Sequence, residues 1–312
     1  MRRLVAIVGP TASGKSSVAL ECALRLGGEI VNADSRQVYR GMAIGTAQPA
    51  PADLRAVPHH LFGVAEANDE YSLALYQRQA AAALEGIWAR DSFAWLVGGT
   101  GQYIWALLEN WTVPEVPPDL DFRARMDALA ADKGAAVLHD RLCEVDPTAA
   151  GRIDSHNIRR IVRALEVYEH TGLPISAWQS RGTPDFEYLL FGVDVVAEEL
   201  ARRIDARVDS MFAAGLVQEV SALLERGLPR IASAMASIGY REVAAHLAGE
   251  STLDEAIAAT KRATRRLARR QGQWFRRDDP RITWIQDAAS VELQANIFTG
   301  ACTNVVRRSS RP

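Results

Sequence analysis

Along this chain, short unbroken apolar runs bounded by polar or glycine-rich turns alternate with longer stretches whose apolar residues recur every three or four positions. That alternation predicts an α/β fold built on a parallel sheet. Leu4-Val5-Ala6-Ile7-Val8 suits a strand buried on both faces, and residues 17–26 carry one apolar helical face. Residues 29–33 read as a second strand ending at Asp34, and residues 93–97 as a third ending at Gly98-Gly99-Thr100-Gly101. Both deliver polar or glycine residues to a strand's C-terminal end, the edge where open α/β sheets bind ligands.

Prolines at 114, 117 and 118 and the turn sequence Arg181-Gly182-Thr183-Pro184 bracket a segment that is almost wholly helical in pattern. Tyr188-Leu189-Leu190-Phe191-Gly192-Val193 returns to strand texture, and amphipathic helices follow from residue 198 to about 273. The predicted organisation is an α/β core formed by 1–113 and 185–300, a helical insertion at 114–184, and a disordered tail at 301–312. No internal repeat or long low-complexity segment interrupts it.

Composition narrows the class. A chain of 312 residues with 48% hydrophobic content can bury a substantial core. Its formal net charge of −2 gives no global attraction to nucleic acid, so binding of that kind needs basic residues gathered locally. Cys22, Cys143 and Cys302 have no metal-ligand spacing and cannot all pair, which suggests a reducing compartment. The first apolar run is too short for a signal-peptide core or a membrane span, so the expectation is a cytoplasmic protein without membrane contact; a monomer is expected, with no residue pattern deciding oligomeric state.

Candidate chemistry begins with Gly9-Pro10-Thr11-Ala12-Ser13-Gly14-Lys15-Ser16, which fills all eight positions of a phosphate-binding loop between a strand and a helix. Glycines let the backbone approach a phosphate, N–H groups at the helix start point at the anion, Lys15 supplies charge, and the Ser16 hydroxyl can ligate Mg2+. This makes the core P-loop NTPase-like. The loop alone does not say which phosphate compound it holds. Asp34, at the end of the second strand, suits a general base, a Mg2+ ligand or a helix cap. The best apolar strand after the loop ends in Gly98-Gly99-Thr100, where kinases and NTPases of this kind carry a Mg2+-associated aspartate; that argues against routine γ-phosphoryl transfer. Thr100 can donate to a phosphate or bridging oxygen.

Two basic segments stand out. Arg152, His156, Arg159, Arg160 and Arg163 are opposed only by Asp154, and Lys261 to Arg270 contains no acidic residue. At helical spacing Lys261/Arg265/Arg269 and Arg262/Arg266/Arg270 form adjacent stripes, so one broad face should be cationic and suited to phosphates. Arg203 and Arg207 lie one helical turn apart. His59 and His60 lack partners at metal-ligand spacing and read as structural, and the seven tryptophans as core or interface residues.

The loop, the run Asp34-Ser35-Arg36-Gln37-Val38-Tyr39, the segment Gly41-Met42-Ala43-Ile44-Gly45-Thr46-Ala47-Gln48-Pro49 and Val97-Gly98-Gly99-Thr100-Gly101-Gln102-Tyr103 together resemble the tRNA dimethylallyltransferase family in its compact bacterial form. The resemblance continues through Asp146-Pro147, Arg163-Ala164-Leu165-Glu166-Val167, Gly215-Leu216, Gly239-Tyr240-Arg241 and the basic helix after Lys261. It implies transfer of a five-carbon group from dimethylallyl diphosphate to the exocyclic amine of the adenosine 3′ of the tRNA anticodon, with Mg2+ as cofactor. On the family pattern Asp34 is the base or orienter of the amine, Thr100 contacts the diphosphate at the breaking bond, and Arg207 with Lys15 stabilises its charge. Residues 9–16 hold the diphosphate. Asp34, Ser35, Arg36 and Gln37 meet the purine, and Thr100, Arg123, Arg159, Arg160, Ile161, Val162, Arg163 and Ser237 to Arg241, including Gly239 and Tyr240, face the tRNA anticodon stem-loop. Gln48 stands where the family commonly has lysine, and the zinc finger of eukaryotic relatives has no counterpart. Competing readings are an isopentenyltransferase for free adenine nucleotide, which needs neither the insertion nor two basic surfaces, a P-loop kinase, and a non-catalytic RNA-binding module.

Overall fold

The computed structural model describes residues 2–178 and 180–299; the predicted tail and Cys302 lie outside them. Six strands, β1 (Arg3–Val8), β2 (Glu29–Asn32), β3 (His59–His60), β4 (Ala94–Gly98), β5 (Glu187–Val193) and β6 (Thr283–Ile285), form one sheet in the order β3-β2-β4-β1-β5-β6. Every neighbouring pair is parallel, with Val8 opposite Gly98 and Gly192, and Asn32 opposite Val97. Because β4 lies between β1 and β2, the segments leaving the C-terminal ends of these three strands meet at one edge. That edge holds the phosphate loop, Asp34 and Thr100.

Residues of β1 and β4 are buried throughout their apolar runs, as expected of central strands covered on both faces. On one face Val5, Ile7, Trp95, Phe191 and Val193 pack with Ala19, Cys22 and Ala23 of the helix Lys15–Leu26 and with Val291 and Ala295 of the helix Ala288–Thr299. A second cluster joins Val38, Tyr39 and Met42 to Leu216, Val220 and Leu223 of the helix Leu216–Glu225 and to Tyr240, Val243 and Ala244 of the helix Tyr240–Leu247.

The first helix starts at Lys15, not at residue 17. Gly14 adopts a left-handed φ of 96° as its N-cap, so Lys15 and Ser16 already belong to the first turn. β3 and β6 escape sequence reading because two or three residues are too few to establish a period.

Residues 109–184 form a separate compact unit, beginning before the proline break. Its helices Leu120–Lys133, Ala136–Val145 and Ile158–Thr171 enclose Phe122, Met126, Leu138, Leu142, Ile161, Val162 and Leu165. Asp119 and Asn157 cap two of them, accepting from the N–H groups of Phe122 and Arg160. Among the described residues no helix is long and apolar enough to cross a membrane.

Candidate active site and nucleic-acid surfaces

The phosphate loop is held from outside as well as by its own turn. Within it, Ser13 N–H donates to the Pro10 carbonyl at 3.2 Å. Arg203, from the helix Ala197–Ala213, donates to the Ser13 carbonyl at 3.2 Å and is itself fixed by Glu199 at 2.7 Å. Gln271, near the end of the helix Leu253–Gly272, accepts from Thr11 N–H at 2.8 Å and donates to the Gly99 carbonyl at 3.0 Å. Sequence reasoning missed Gln271: a glutamine within a run of arginines carries no local signal that it turns inward.

Asp34 and Thr100 are brought together by backbone contact between the ends of β2 and β4. Thr100 N–H donates to the Ala33 carbonyl at 3.2 Å, and Ser35 N–H donates to Thr100 Oγ1 at 3.0 Å. Gly98 permits this approach, since a Cβ there would lie 2.1 Å from the Ala33 carbonyl oxygen. The wholly buried Asn32 amide shapes the turn, donating to the carbonyls of Asp34 and Leu61 and accepting from Asp34 N–H. Asp34 Oδ1 accepts from Arg36 N–H at 2.9 Å, while Oδ2 has no hydrogen-bond donor among the described residues. The carboxylate is thus oriented through one oxygen and open at the other.

Cationic charge converges on this carboxylate. Burial lowers the Lys15 ammonium pKa to about 8, with Asp34 opposing the shift and Arg207 adding to it. Burial likewise lowers the pKa of Arg207, again opposed by Asp34. Among the described residues Lys15 Nζ finds only the Pro10 carbonyl, at 3.4 Å. Two cations near one carboxylate, neither of them ion-paired with it among the described residues, leave an excess of positive charge, an arrangement suited to a polyanion. Ser16 is exposed in the first helical turn and its hydroxyl makes no hydrogen bond among the described residues. Among the described residues no group of three or more His, Cys, Asp or Glu is placed to hold a metal ion. These donors fit a cation carried mainly by phosphate oxygens.

The remainder of the Asp34 run is largely structural. Arg36 donates to the Ser233 carbonyl at 2.9 Å, and buried Gln37 donates to the carbonyls of Thr46 and Ala47. Gln48, where a lysine charge was in question, spends its amide on the Gln37 and Tyr39 carbonyls.

Several side chains expected to face RNA do not. Tyr240 is completely buried; its hydroxyl donates to Glu219 and accepts from Gly45 N–H at 3.2 Å. Burial, then Glu219, push its pKa far up. Ser237 is buried too, donating to the Ala234 carbonyl, and Gly239 N–H is taken by Glu242. In Ser237 to Arg241 only the Arg241 side chain is exposed, beside Glu242. A motif gives position along the chain but not burial, which the surrounding helices decide. Tyr240→Phe is expected to cost about 1–2 kcal/mol of stability, read from a denaturant midpoint, with RNA affinity unchanged.

In the 109–184 unit Ile161 and Val162 are core residues, so their side chains cannot meet RNA in the folded unit. Arg123 and Arg163 grip Glu166, whose side chain is wholly buried, at 2.8 and 2.5 Å, and Asp119 N–H adds a third donor at 2.8 Å. Against the desolvation that raises it, these partners hold the Glu166 carboxyl below its ordinary pKa. Arg159 and Arg160, by contrast, are exposed and form no ion pair among the described residues.

The basic helix Leu253–Gly272 divides in the same way. Lys261 pairs with Asp209 and Arg265 with Asp205, both on the helix Ala197–Ala213, whereas Arg262, Arg266, Arg269 and Arg270 are exposed, with no ion-pair partner among the described residues. One predicted stripe is therefore mostly neutralised and the other is free.

A family description of IPP transferase matches residues 37–278, and one of isopentenyl transferase matches residues 2–60. A protein of Roseiflexus sp. named tRNA dimethylallyltransferase is 50% identical over 94% of this chain and 96% of its own length. The chain belongs to the tRNA dimethylallyltransferase family. The solved full-length tRNA isopentenylpyrophosphate transferase of Bacillus halodurans is 35% identical, with a TM-score of 0.70 over 100% of both chains. A eukaryotic dimethylallyltransferase solved acting on tRNA is 26% identical, with a TM-score of 0.79 over 100% of this chain and 81% of that one. The P-loop NTPase-like assignment of the core and the family resemblance both hold, and the kinase, free-nucleotide and non-catalytic readings are not favoured.

Proposed function

We propose that this protein transfers the dimethylallyl group of dimethylallyl diphosphate to N6 of the adenosine 3′ of the anticodon in tRNA, releasing diphosphate. The observation that carries this reading is the gathering of Lys15, Arg207 and an open Asp34 oxygen beside a complete phosphate loop, on a strand edge where Thr100 replaces the usual aspartate. An adenine amine is a poor nucleophile, but an allylic diphosphate loses its leaving group readily once that group's charge is neutralised.

In the proposed step the bond between C1 of the prenyl group and the bridging oxygen breaks, and its electron pair stays with diphosphate. N6 then bonds to C1 and gives up a proton. Lys15, Arg207 and the loop N–H groups stabilise the departing charge, and Thr100 Oγ1 donates towards the bridging oxygen. The free Oδ2 of Asp34 accepts the N6 hydrogen. Ser16 Oγ would hold Mg2+, which when bound supplies further neutralisation of the diphosphate. The adenine must leave its stack to reach such a pocket, and the surrounding backbone needs cationic support. Exposed Arg159 and Arg160, and separately Arg262, Arg266, Arg269 and Arg270, support that role.

The direct test is incubation with dimethylallyl diphosphate, Mg2+ and unmodified tRNA, followed by nucleoside mass spectrometry and fragment mapping. Prenyl mass on the adenosine 3′ of the anticodon is expected; modification of free AMP without modification of tRNA would overturn the proposal. RNA affinity should fall steeply with salt, and R262A/R266A should make the log–log slope shallower by about 1–2. An unchanged slope would remove that helix from the interface.

A further inference from the structure

The helix Leu253–Gly272 buries a stripe of small residues, Ala256, Thr260, Ala263, Thr264 and Ala268, and the stripe ends at Gln271. Thr260 and Thr264 spend their hydroxyls on carbonyls one turn back within the same helix. Gln271 does not. Its carboxamide spans two turns that the chain places far apart, accepting from Thr11 of the phosphate loop and donating to Gly99 of the Thr100 turn. Both groups would otherwise lose a partner in a buried setting. A carboxamide supplies an acceptor and a donor at one end, which neither an apolar side chain nor a carboxylate does. The fit is close, because a Cβ on Gly99 would lie 2.4 Å from Gln271 Nε2.

We propose that Gln271 is a positioning residue for prenyl transfer: it fixes the gap between the phosphate loop and the Thr100 turn, and so the line from bound diphosphate to the breaking bond. The assignment rests on the proposed diphosphate site. It also makes the RNA-facing helix part of the active-site wall, since exposed Arg270 is the neighbour of Gln271 in the chain. A misplacement of about 1 Å between reacting groups can cost on the order of 10²-fold in rate.

The test compares wild type with Q271L, which loses both hydrogen bonds, and Q271E, which keeps the acceptor for Thr11 and turns an oxygen towards the Gly99 carbonyl. With anticodon stem-loop RNA and dimethylallyl diphosphate, kcat of both variants should fall by roughly ten- to a hundredfold. KM for RNA should stay within threefold of wild type, at temperatures where melting curves show each variant folded. G99A should lower kcat similarly, and adding it to Q271L should cost less than it does alone, because the colliding carboxamide is gone. Should Q271L fold poorly, Q271E and G99A carry the same comparison. Variants that are merely less stable, with kcat within threefold of wild type, would overturn the proposal. So would kcat and RNA affinity falling together. A wild type that transfers no prenyl group to RNA would instead strike at the proposed function itself.

Discussion

Asp34→Asn should lower kcat for prenyl transfer by roughly 10²- to 10⁴-fold, the range for removal of a group that handles a proton in the transition state. The asparagine carbonyl can still accept from Arg36 N–H, the bond that orients the native side chain, so the turn should survive. What changes is the free end. Oδ2 becomes an NH2 group that presents hydrogens to the adenine amine. Affinity for tRNA, measured by filter binding or anisotropy, should change by less than about threefold, because the proposed RNA grip rests on many phosphate contacts. Equal losses of rate and affinity would contradict the role given to Asp34.

Lys15→Met should lower kcat/KM for dimethylallyl diphosphate by about 10²- to 10³-fold, comparable to removing a preorganised charge donor from a developing oxyanion. Methionine replaces much of the buried stem and removes the charge together with its N–H donors. The pH dependence gives a second reading of the same group. Burial lowers the Lys15 pKa to about 8, so in the free enzyme the ammonium is charged below that pH and lost as pH rises through it. Wild-type kcat/KM for the diphosphate should therefore fall above about pH 8. Bound diphosphate favours the charged amine and displaces the corresponding limb of kcat to higher pH. In Lys15→Met that limb should disappear from kcat/KM. A limb that persists unchanged belongs to another group.

Local patterns carried the sheet edge well. Leu4-Val5-Ala6-Ile7-Val8 followed by the phosphate loop, and polar residues closing β2 and β4, need only a few consecutive residues to declare themselves. Their meeting at one edge follows from parallel topology. Which cations are free was not legible, because that depends on partners distant in sequence. Arg265 and Arg266 are the same residue type side by side, yet Asp205 lies against the first and no acidic side chain among the described residues pairs with the second. Arg163 and Arg160 differ in the same manner, Glu166 being one helical turn from Arg163 and buried beneath it. Gln271 and Asn32 were silent for a related reason: a buried amide is recognised by what its two ends bind, and for Gln271 those partners are 260 and 172 residues away.

The central claim is that the phosphate loop grips a prenyl diphosphate as leaving group, in place of the nucleoside triphosphate that such loops commonly serve. Its most direct measurement is a stoichiometry: purified protein, unmodified tRNA, Mg2+ and dimethylallyl diphosphate, with no ATP, followed by parallel quantification of inorganic diphosphate and N6-dimethylallyladenosine. One diphosphate released per prenylated adenosine, undiminished without ATP and slowed by about 10²- to 10³-fold in Lys15→Met, is the predicted result. Prenyl transfer that requires ATP, or ATP hydrolysis in its place, would contradict it.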